Sequence, residues 1–276
     1  MTEWHLPEVY DFNGRSVRYG VSGDGPPVIL VHGTPWSSFN LRHLIRSLAK
    51  DFTVYHHDLI GYGQSDKSPG DVSLAIQNQV LDKLIDHWGL ENPLIIGHDF
   101  GGTTVLRTHL ISHRDFDRIV LIDPVAVSPW GSPFFQHVHD HEAAFAGVPD
   151  YIHEAIVRAY VKTAAFQPID DQTLDQIILP WTEPGGKEAF YRQIAQASSK
   201  YTDEIQPLYS RISRPVLILW GREDTWIPME KGETLHQMIP GSLFHTIPDA
   251  GHLVIEEQPD LLMEKIRPFL QQKAIT

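Results

Sequence analysis

The chain has no cysteine in 276 residues, which excludes a disulfide framework, a thiolate metal site and a cysteine nucleophile. It also lacks a basic surplus, because 22 Lys+Arg face 35 Asp+Glu and leave a formal charge of −13 with histidine neutral. Nucleic acids and anionic membrane surfaces are held by clustered Lys and Arg, and no such cluster stands out, so neither is an expected partner. Long apolar runs are missing as well. Pro26–Val31 is typical of the longest, far short of the roughly 18 residues that cross a bilayer. Residues Met1 to Gly25 carry Glu3, Glu8, Asp11 and Asp24 and no apolar block, so they do not read as a secretory signal. A cytoplasmic location is the simplest expectation.

What is present is the composition of one large folded domain, 42% hydrophobic and 21% charged, with no visible internal repeat. Short β-branched runs alternate with amphipathic stretches, the pattern of an α/β chain with a mostly parallel sheet. Strands are expected at Pro27–Val31, Thr53–His57, Leu94–Gly97, Arg118–Ile122, Val216–Trp220 and Leu243–Ile247. Val9–Phe12 and Arg15–Val21 flank Asn13-Gly14 and predict an opening antiparallel hairpin. Helices are expected at Phe39–Ala49, Leu74–Trp88, Thr103–His113, Glu230–Met238 and Asp260–Gln271, where apolar residues recur near a 3.6-residue spacing. Between Pro124 and Gln206 strands vanish and helical stretches such as Tyr151–Ala165 and Lys187–Ser198 follow one another. The expected organisation is a sheet domain from residues 1–123 and 207–276 with an inserted helical cap over 124–206.

The strand at Leu94–Gly97 runs into Gly97-His98-Asp99-Phe100-Gly101-Gly102 and then a helical pattern. A strand–turn–helix junction of this kind lifts its central side chain, here Asp99, above the sheet on a tight bend, and the flanking glycines let backbones cross closely. Alone, Gly-x-Asp-x-Gly could be an ordinary turn. Three further motifs give it weight. Val31-His32-Gly33-Thr34-Pro35 ends a strand. Leu217–Trp220 leads into Gly221-Arg222-Glu223-Asp224 with Pro228 beyond it. Pro248-Asp249-Ala250-Gly251-His252 follows downstream.

In these motifs the chain resembles the α/β-hydrolase fold family, specifically its aspartate-nucleophile branch of epoxide hydrolases and haloalkane dehalogenases. The resemblance implies a mostly parallel twisted sheet with helices on both faces and a helical cap. It implies Asp99 as nucleophile, Asp224 as the acid and His252 as the histidine, in the chain order that the family uses. Thr34 and Phe100 would supply the two backbone N–H groups of an oxyanion hole. Asp123, at the end of its own strand, is a rival for the acid role, with Asp224 favoured by its loop. His32 and His98 flank the motifs and read as packing or supporting residues.

A carboxylate at the bend is already anionic at neutral pH and needs no base to attack a saturated carbon. The ester so formed would be hydrolysed by water that His252 deprotonates while Asp224 holds the imidazole. No metal or organic cofactor is required, and the expected partners are a small apolar organic substrate and water. His137, His139 and His141 with Asp140 and Glu142 invite a metal reading, but no further ligand nearby completes a first shell.

Two leaving groups remain open. Halide expulsion needs N–H donors, and the dehalogenase family typically has tryptophan directly after the nucleophile, where this chain has Phe100, which cannot donate from its ring. Trp130, Trp181 or Trp36 would have to supply an indole N–H instead. Epoxide opening needs a proton donor, and the resemblance to epoxide hydrolases points to cap tyrosines: Tyr191 in Phe190-Tyr191-Arg192 first, then Tyr160, with Tyr151 behind it. Phenols are protonated at neutral pH and suit that task. Epoxide hydrolysis leads narrowly over dehalogenation. An esterase or lactonase is disfavoured because aspartate attack on an acyl carbon would give an anhydride, and a non-catalytic receptor because all three triad members are present.

Overall fold

The computed structural model describes residues 4–272. Its centre is an eight-stranded sheet with strands β1 (Glu8–Phe12), β2 (Arg15–Ser22), β3 (Pro27–Val31), β4 (Thr53–His57), β5 (Leu94–His98), β6 (Ile119–Ile122), β7 (Val216–Gly221) and β8 (Leu243–Ile247), in the order β1-β2-β4-β3-β5-β6-β7-β8. β1, β2 and β4 pair antiparallel; from β4 through β3 to β8 every pairing is parallel. This is the mostly parallel sheet expected from the alternating pattern, in the form that the resemblance to the α/β-hydrolase fold implies. The hairpin turns at Asn13 and Gly14, both at positive φ, as the Asn-Gly pair predicts.

The strands β3, β5, β6 and β7 are buried almost throughout because helices cover both sheet faces, which is why they read as unbroken apolar runs. β8 is different: as an edge strand it alternates between exposed and half-buried residues. Helix α1 (Arg42–Leu48) is shorter than the periodicity predicts, because Ser38–Leu41 closes as a 3₁₀ turn ahead of it. α2 (Leu74–Trp88) ends on Gly89 in the left-handed conformation, a common helix stop. α3 (Phe100–Leu110) begins three residues earlier than its apolar pattern suggests, immediately after the bend at Asp99.

Between β6 and β7 lie α4 (Pro133–Asp140), α5 (Glu142–Ala146), α6 (Asp150–Lys162), α7 (Asp171–Thr182), α8 (Gly186–Ala195) and α9 (Lys200–Asp203). They share a hydrophobic core with the sheet through Val157, Val161, Trp181, Phe190 and Tyr191. The chain closes with α10 (Met229–Met238), α11 (Val254–Glu257) and α12 (Pro259–Leu270). Among the described residues no helix is long and apolar enough to cross a membrane.

Candidate active site

The C-terminal ends of β3, β5 and β7 converge beside the point where the strand order reverses, the place where open parallel sheets leave a crevice. β5 delivers Asp99 on a sharp bend with φ 54 and ψ −122, a backbone conformation that non-glycine residues rarely hold without support. Two glycines make the bend possible. A Cβ on Gly97 would lie 2.6 Å from the Gly101 carbonyl oxygen, and one on Gly101 would lie 2.1 Å from that of Val31. α3 therefore starts in near contact with β3 and aims its N-terminus at the Asp99 carboxylate.

Asp99 Oδ1 accepts the Thr34 backbone N–H at 2.6 Å, and Oδ2 accepts from His252 Nε2 at 3.1 Å. His252 Nδ1 donates to Asp224 Oδ2 at 2.8 Å, and Asp224 Oδ1 in turn accepts the backbone N–H groups of Trp226 and Ile227 at 2.8 and 2.9 Å. The three side chains that the sequence names thus form one hydrogen-bonded line. Burial alone would depress the His252 imidazole, but the charges of Asp224 and Asp99 outweigh it and hold the ring well above its ordinary value. The two carboxylates thus favour the charged imidazolium.

Asp123 stands apart from that line. Its Oδ1 accepts the Gly221 N–H at 2.8 Å, while its Oδ2 is buried without a partner. Burial, and then the neighbouring charge of Asp224, push this carboxyl well above the usual carboxylate range, toward its neutral form. Of the two rival acids, the geometry puts Asp224 on the imidazole.

The expected oxyanion loop is braced from behind. Thr34 Oγ1 and the Tyr62 hydroxyl both donate to Gln193 Oε1, at 2.7 and 2.9 Å, which ties the loop after β3 to α8. The backbone N–H of Phe100 has no partner among the described residues. His98 donates from Nε2 to the His252 carbonyl at 2.9 Å, and His32 uses both ring nitrogens on the Gly33 carbonyl and the Leu59 N–H. Both are supporting residues in their contacts, as expected.

Above Asp99 lies a cavity of about 40 Å³ lined by Thr34, Phe100, Val125, Trp130, Gly131, Ser132, Phe135, Tyr160, Trp226 and Ile227. Tyr160 stacks on Trp226 with ring centroids 4.5 Å apart and makes no hydrogen bond through its hydroxyl among the described residues. Burial, then the nearby Asp99 charge, raises the phenol above its ordinary value and keeps it protonated. The order of the tyrosine candidates changes accordingly. Tyr191, first by sequence, turns its hydroxyl to His153 Nδ1 at 3.0 Å and is absent from the cavity wall, because α8 packs that face inward against α6. Tyr151 is 73% exposed at the start of α6.

The tryptophans named by sequence divide as well. The Trp130 indole N–H donates to Thr202 Oγ1 at 2.9 Å and that of Trp181 to the Pro35 carbonyl at 2.7 Å. Trp36 keeps a buried, unpartnered indole N–H, but its ring is not part of the cavity wall. His137 and His141 pack edge to face at 4.8 Å, and no group of three metal-ligating side chains occurs among the described residues.

The family model described as "Alpha/beta hydrolase family" matches residues 28–265. The chain belongs to that family. Among solved structures it is similar to an alpha/beta hydrolase fold protein from Burkholderia ambifaria, with a TM-score of 0.93 and 42% identity over 96% of this chain and 98% of that one. Among curated proteins it is similar to the uncharacterized hydrolase YugF of Bacillus subtilis (strain 168), 27% identical over 88% of this chain and 89% of that protein. It is similar also to a soluble epoxide hydrolase of Corynebacterium sp. (strain C12), 22% identical over 93% of this chain and 94% of the relative.

One residue of this α/β hydrolase's site escapes the motifs. Trp226 lines the cavity, stacks on His252 at 5.2 Å and 26°, and stacks on Trp36 at 5.7 Å. Its indole N–H donates to Thr163 Oγ1 at 3.0 Å, fastening the loop after β7 to the end of α6. The signal available in the sequence was its place two residues after Asp224, where the backbone turns to bond that carboxylate.

Proposed function

We propose that this hydrolase opens small epoxides to diols through a covalent ester on Asp99. The observation that carries the reading is the free, protonated hydroxyl of Tyr160 in the same small cavity as the Asp99 carboxylate. A nucleophile and a proton donor lining one small space are what epoxide opening asks for. The likeness to a curated soluble epoxide hydrolase agrees with it.

One Asp99 oxygen attacks a ring carbon, the carbon–oxygen bond breaks, and its electron pair stays on the ring oxygen, which takes the Tyr160 proton. Asp99 is then a neutral ester. One of the two charges that held the His252 proton has gone, so the imidazolium loses its proton, through solvent, to the phenolate and becomes a base. His252 next takes a proton from water while the resulting hydroxide adds to the ester carbonyl. The N–H groups of Thr34 and Phe100 would hold the oxyanion. Collapse expels the diol oxygen, which takes the proton of the newly formed carboxylic acid, and Asp99 is an anion again beside an imidazolium.

Dehalogenation is the weaker reading. A departing halide needs N–H donors in the cavity, and the two indoles on its wall, Trp130 and Trp226, both spend theirs on threonine oxygens.

The test is to trap the ester. With His252→Gln, a panel of epoxides and haloalkanes should leave an adduct on Asp99, visible by intact mass and peptide mapping, for epoxides in particular. If wild type turns over a panel member and His252→Gln never carries an adduct from it, the mechanism is wrong. Free halide in place of diol from wild type would move the assignment to dehalogenation.

A further inference from the structure

The walls of the cavity say more than which ring opens. No lysine or arginine lines the cavity, and the one basic ring beside Asp99, His252, is already held between the Asp99 and Asp224 carboxylates, so a substrate carboxylate would add a second negative charge with no free cation to offset it, in surroundings of low dielectric. The space is also short. A volume of about 40 Å³ admits only a small molecule.

One wall of this space is a rigid aromatic group. Phe135 meets Phe100 edge-on at 6.3 Å and 90°, and meets Trp130 at 6.2 Å and 70°. It is fixed from both sides. Its backbone N–H bonds the Ser132 hydroxyl at the start of α4, and Trp130 is anchored to Thr202 on α9. At 8% exposure Phe135 is a wall and not a swinging surface ring. Another wall, the Tyr160–Trp226 stack, is fastened through Thr163 and holds the proposed proton donor, so it cannot recede without loss of chemistry.

We infer that the substrate is a short, uncharged epoxide and that Phe135 is the residue that sets the length limit. The inference rests on the epoxide reading of the same site. An epoxide carrying one or two carbons beyond the ring fits between Asp99 and Phe135; a longer chain meets the Phe135 ring before the reacting carbon reaches Asp99.

The test is a series of terminal epoxides, propylene, butylene, hexene and octene oxide, with glycidate as the carboxylated member, followed by diol formation. Wild type should show a kcat/KM for propylene oxide at least about tenfold above that for octene oxide, with glycidate lowest. Phe135→Leu should narrow the ratio between propylene and octene oxide at least about threefold, and Phe135→Ala further, with circular dichroism used to confirm that each variant is folded; the leucine variant keeps most of the packing if alanine does not fold. Octene oxide or glycidate turned over as fast as propylene oxide by wild type overturns the inference and leaves the Asp99 reading standing. Preference for short epoxides that is unchanged in folded Phe135→Leu removes Phe135 from its role. No turnover of any member, with no adduct on His252→Gln, defeats the epoxide reading itself.

Discussion

Trp226 lies nearly parallel to the His252 imidazole, 5.2 Å away and tilted by 26°. The same indole carries Tyr160 at 4.5 Å. A single side chain thus spaces the proposed proton donor from the proposed base, and its π-face lies against the imidazolium that the two carboxylates favour. Removing it should weaken both relationships. Trp226→Leu is expected to lower kcat about tenfold, in line with about 1–2 kcal/mol for a desolvated cation–π contact. Loss of the aromatic face also disfavours the imidazolium, so the acid limb of the pH–rate profile should move to lower pH, while Trp226→Phe should keep most of the rate. A rate loss with an unmoved limb would assign the ring to packing alone.

The two rival acids separate by charge. Asp224→Asn removes the anion from the imidazole and presents the wrong partner, so kcat should fall on the order of a thousandfold or more. Burial pushes Asp123 toward its neutral form, and asparagine matches a neutral carboxyl in shape while still accepting from Gly221 N–H. Asp123→Asn should therefore stay within about threefold of wild type. Equal losses in the two variants would mean that the imidazole uses both.

The tyrosines make a second pair. Tyr160→Phe keeps the stack on Trp226 and deletes only the proton, so epoxide opening should slow on the order of a hundredfold. Tyr191→Phe breaks the bond to His153 and should cost about 1 kcal/mol of stability with little effect on turnover. Single-turnover ester formation measured beside urea unfolding distinguishes the two effects.

Stability should fall in mild acid for a reason that lies outside the site. Burial lowers His56 to about 4, and His57 and His98 to about 3. Above the unfolded value near 6.5 both states are neutral and pH has no effect through these groups. Below it the unfolded chain takes up protons that the folded chain refuses, so stability is lost progressively from pH 6.5 downward, at up to about 1.4 kcal/mol per pH unit per group. His57, both of whose ring nitrogens are buried without partners, offers the control. In His57→Leu the decline of the urea midpoint between pH 6.5 and 5 should be shallower than in wild type. An unchanged slope would show that His57 is not one of the groups responsible.

Much of the sheet was legible because burial leaves a local record: Pro27–Val31 and Thr53–His57 are strands at the bounds that their apolar runs predict, and Leu243–Ile247, although an edge strand, is found at its expected bounds as well. The bend at Asp99 was legible for a similar reason. Gly97 and Gly101 are needed by backbone contacts that no other residue allows, so the requirement is written in the chain. Helix starts were less so. α3 begins at Phe100 because the bend forces it, ahead of the first clearly periodic residue.

Side-chain direction within the inserted helices was not legible at all. Tyr160 and Tyr191 both sit on helices among aromatic neighbours, and nothing local distinguishes a hydroxyl that faces Asp99 from one that bonds His153. The rotation of α6 and α8 against the sheet decides it. Trp226 was hidden in the same way, since its contacts with Tyr160, Trp36 and His252 join three distant parts of the chain.

By itself the sequence determined the order of strands and helices, the absence of thiol chemistry, and which acidic and imidazole groups stand at strand ends, because those follow from residue type and short-range backbone demands. Tertiary structure alone decided which carboxylate meets His252, which phenol shares a cavity with Asp99, and that Phe135 lines that cavity. Those are distances between elements far apart in the chain, and they arise only when the helices between β6 and β7 pack down on the sheet.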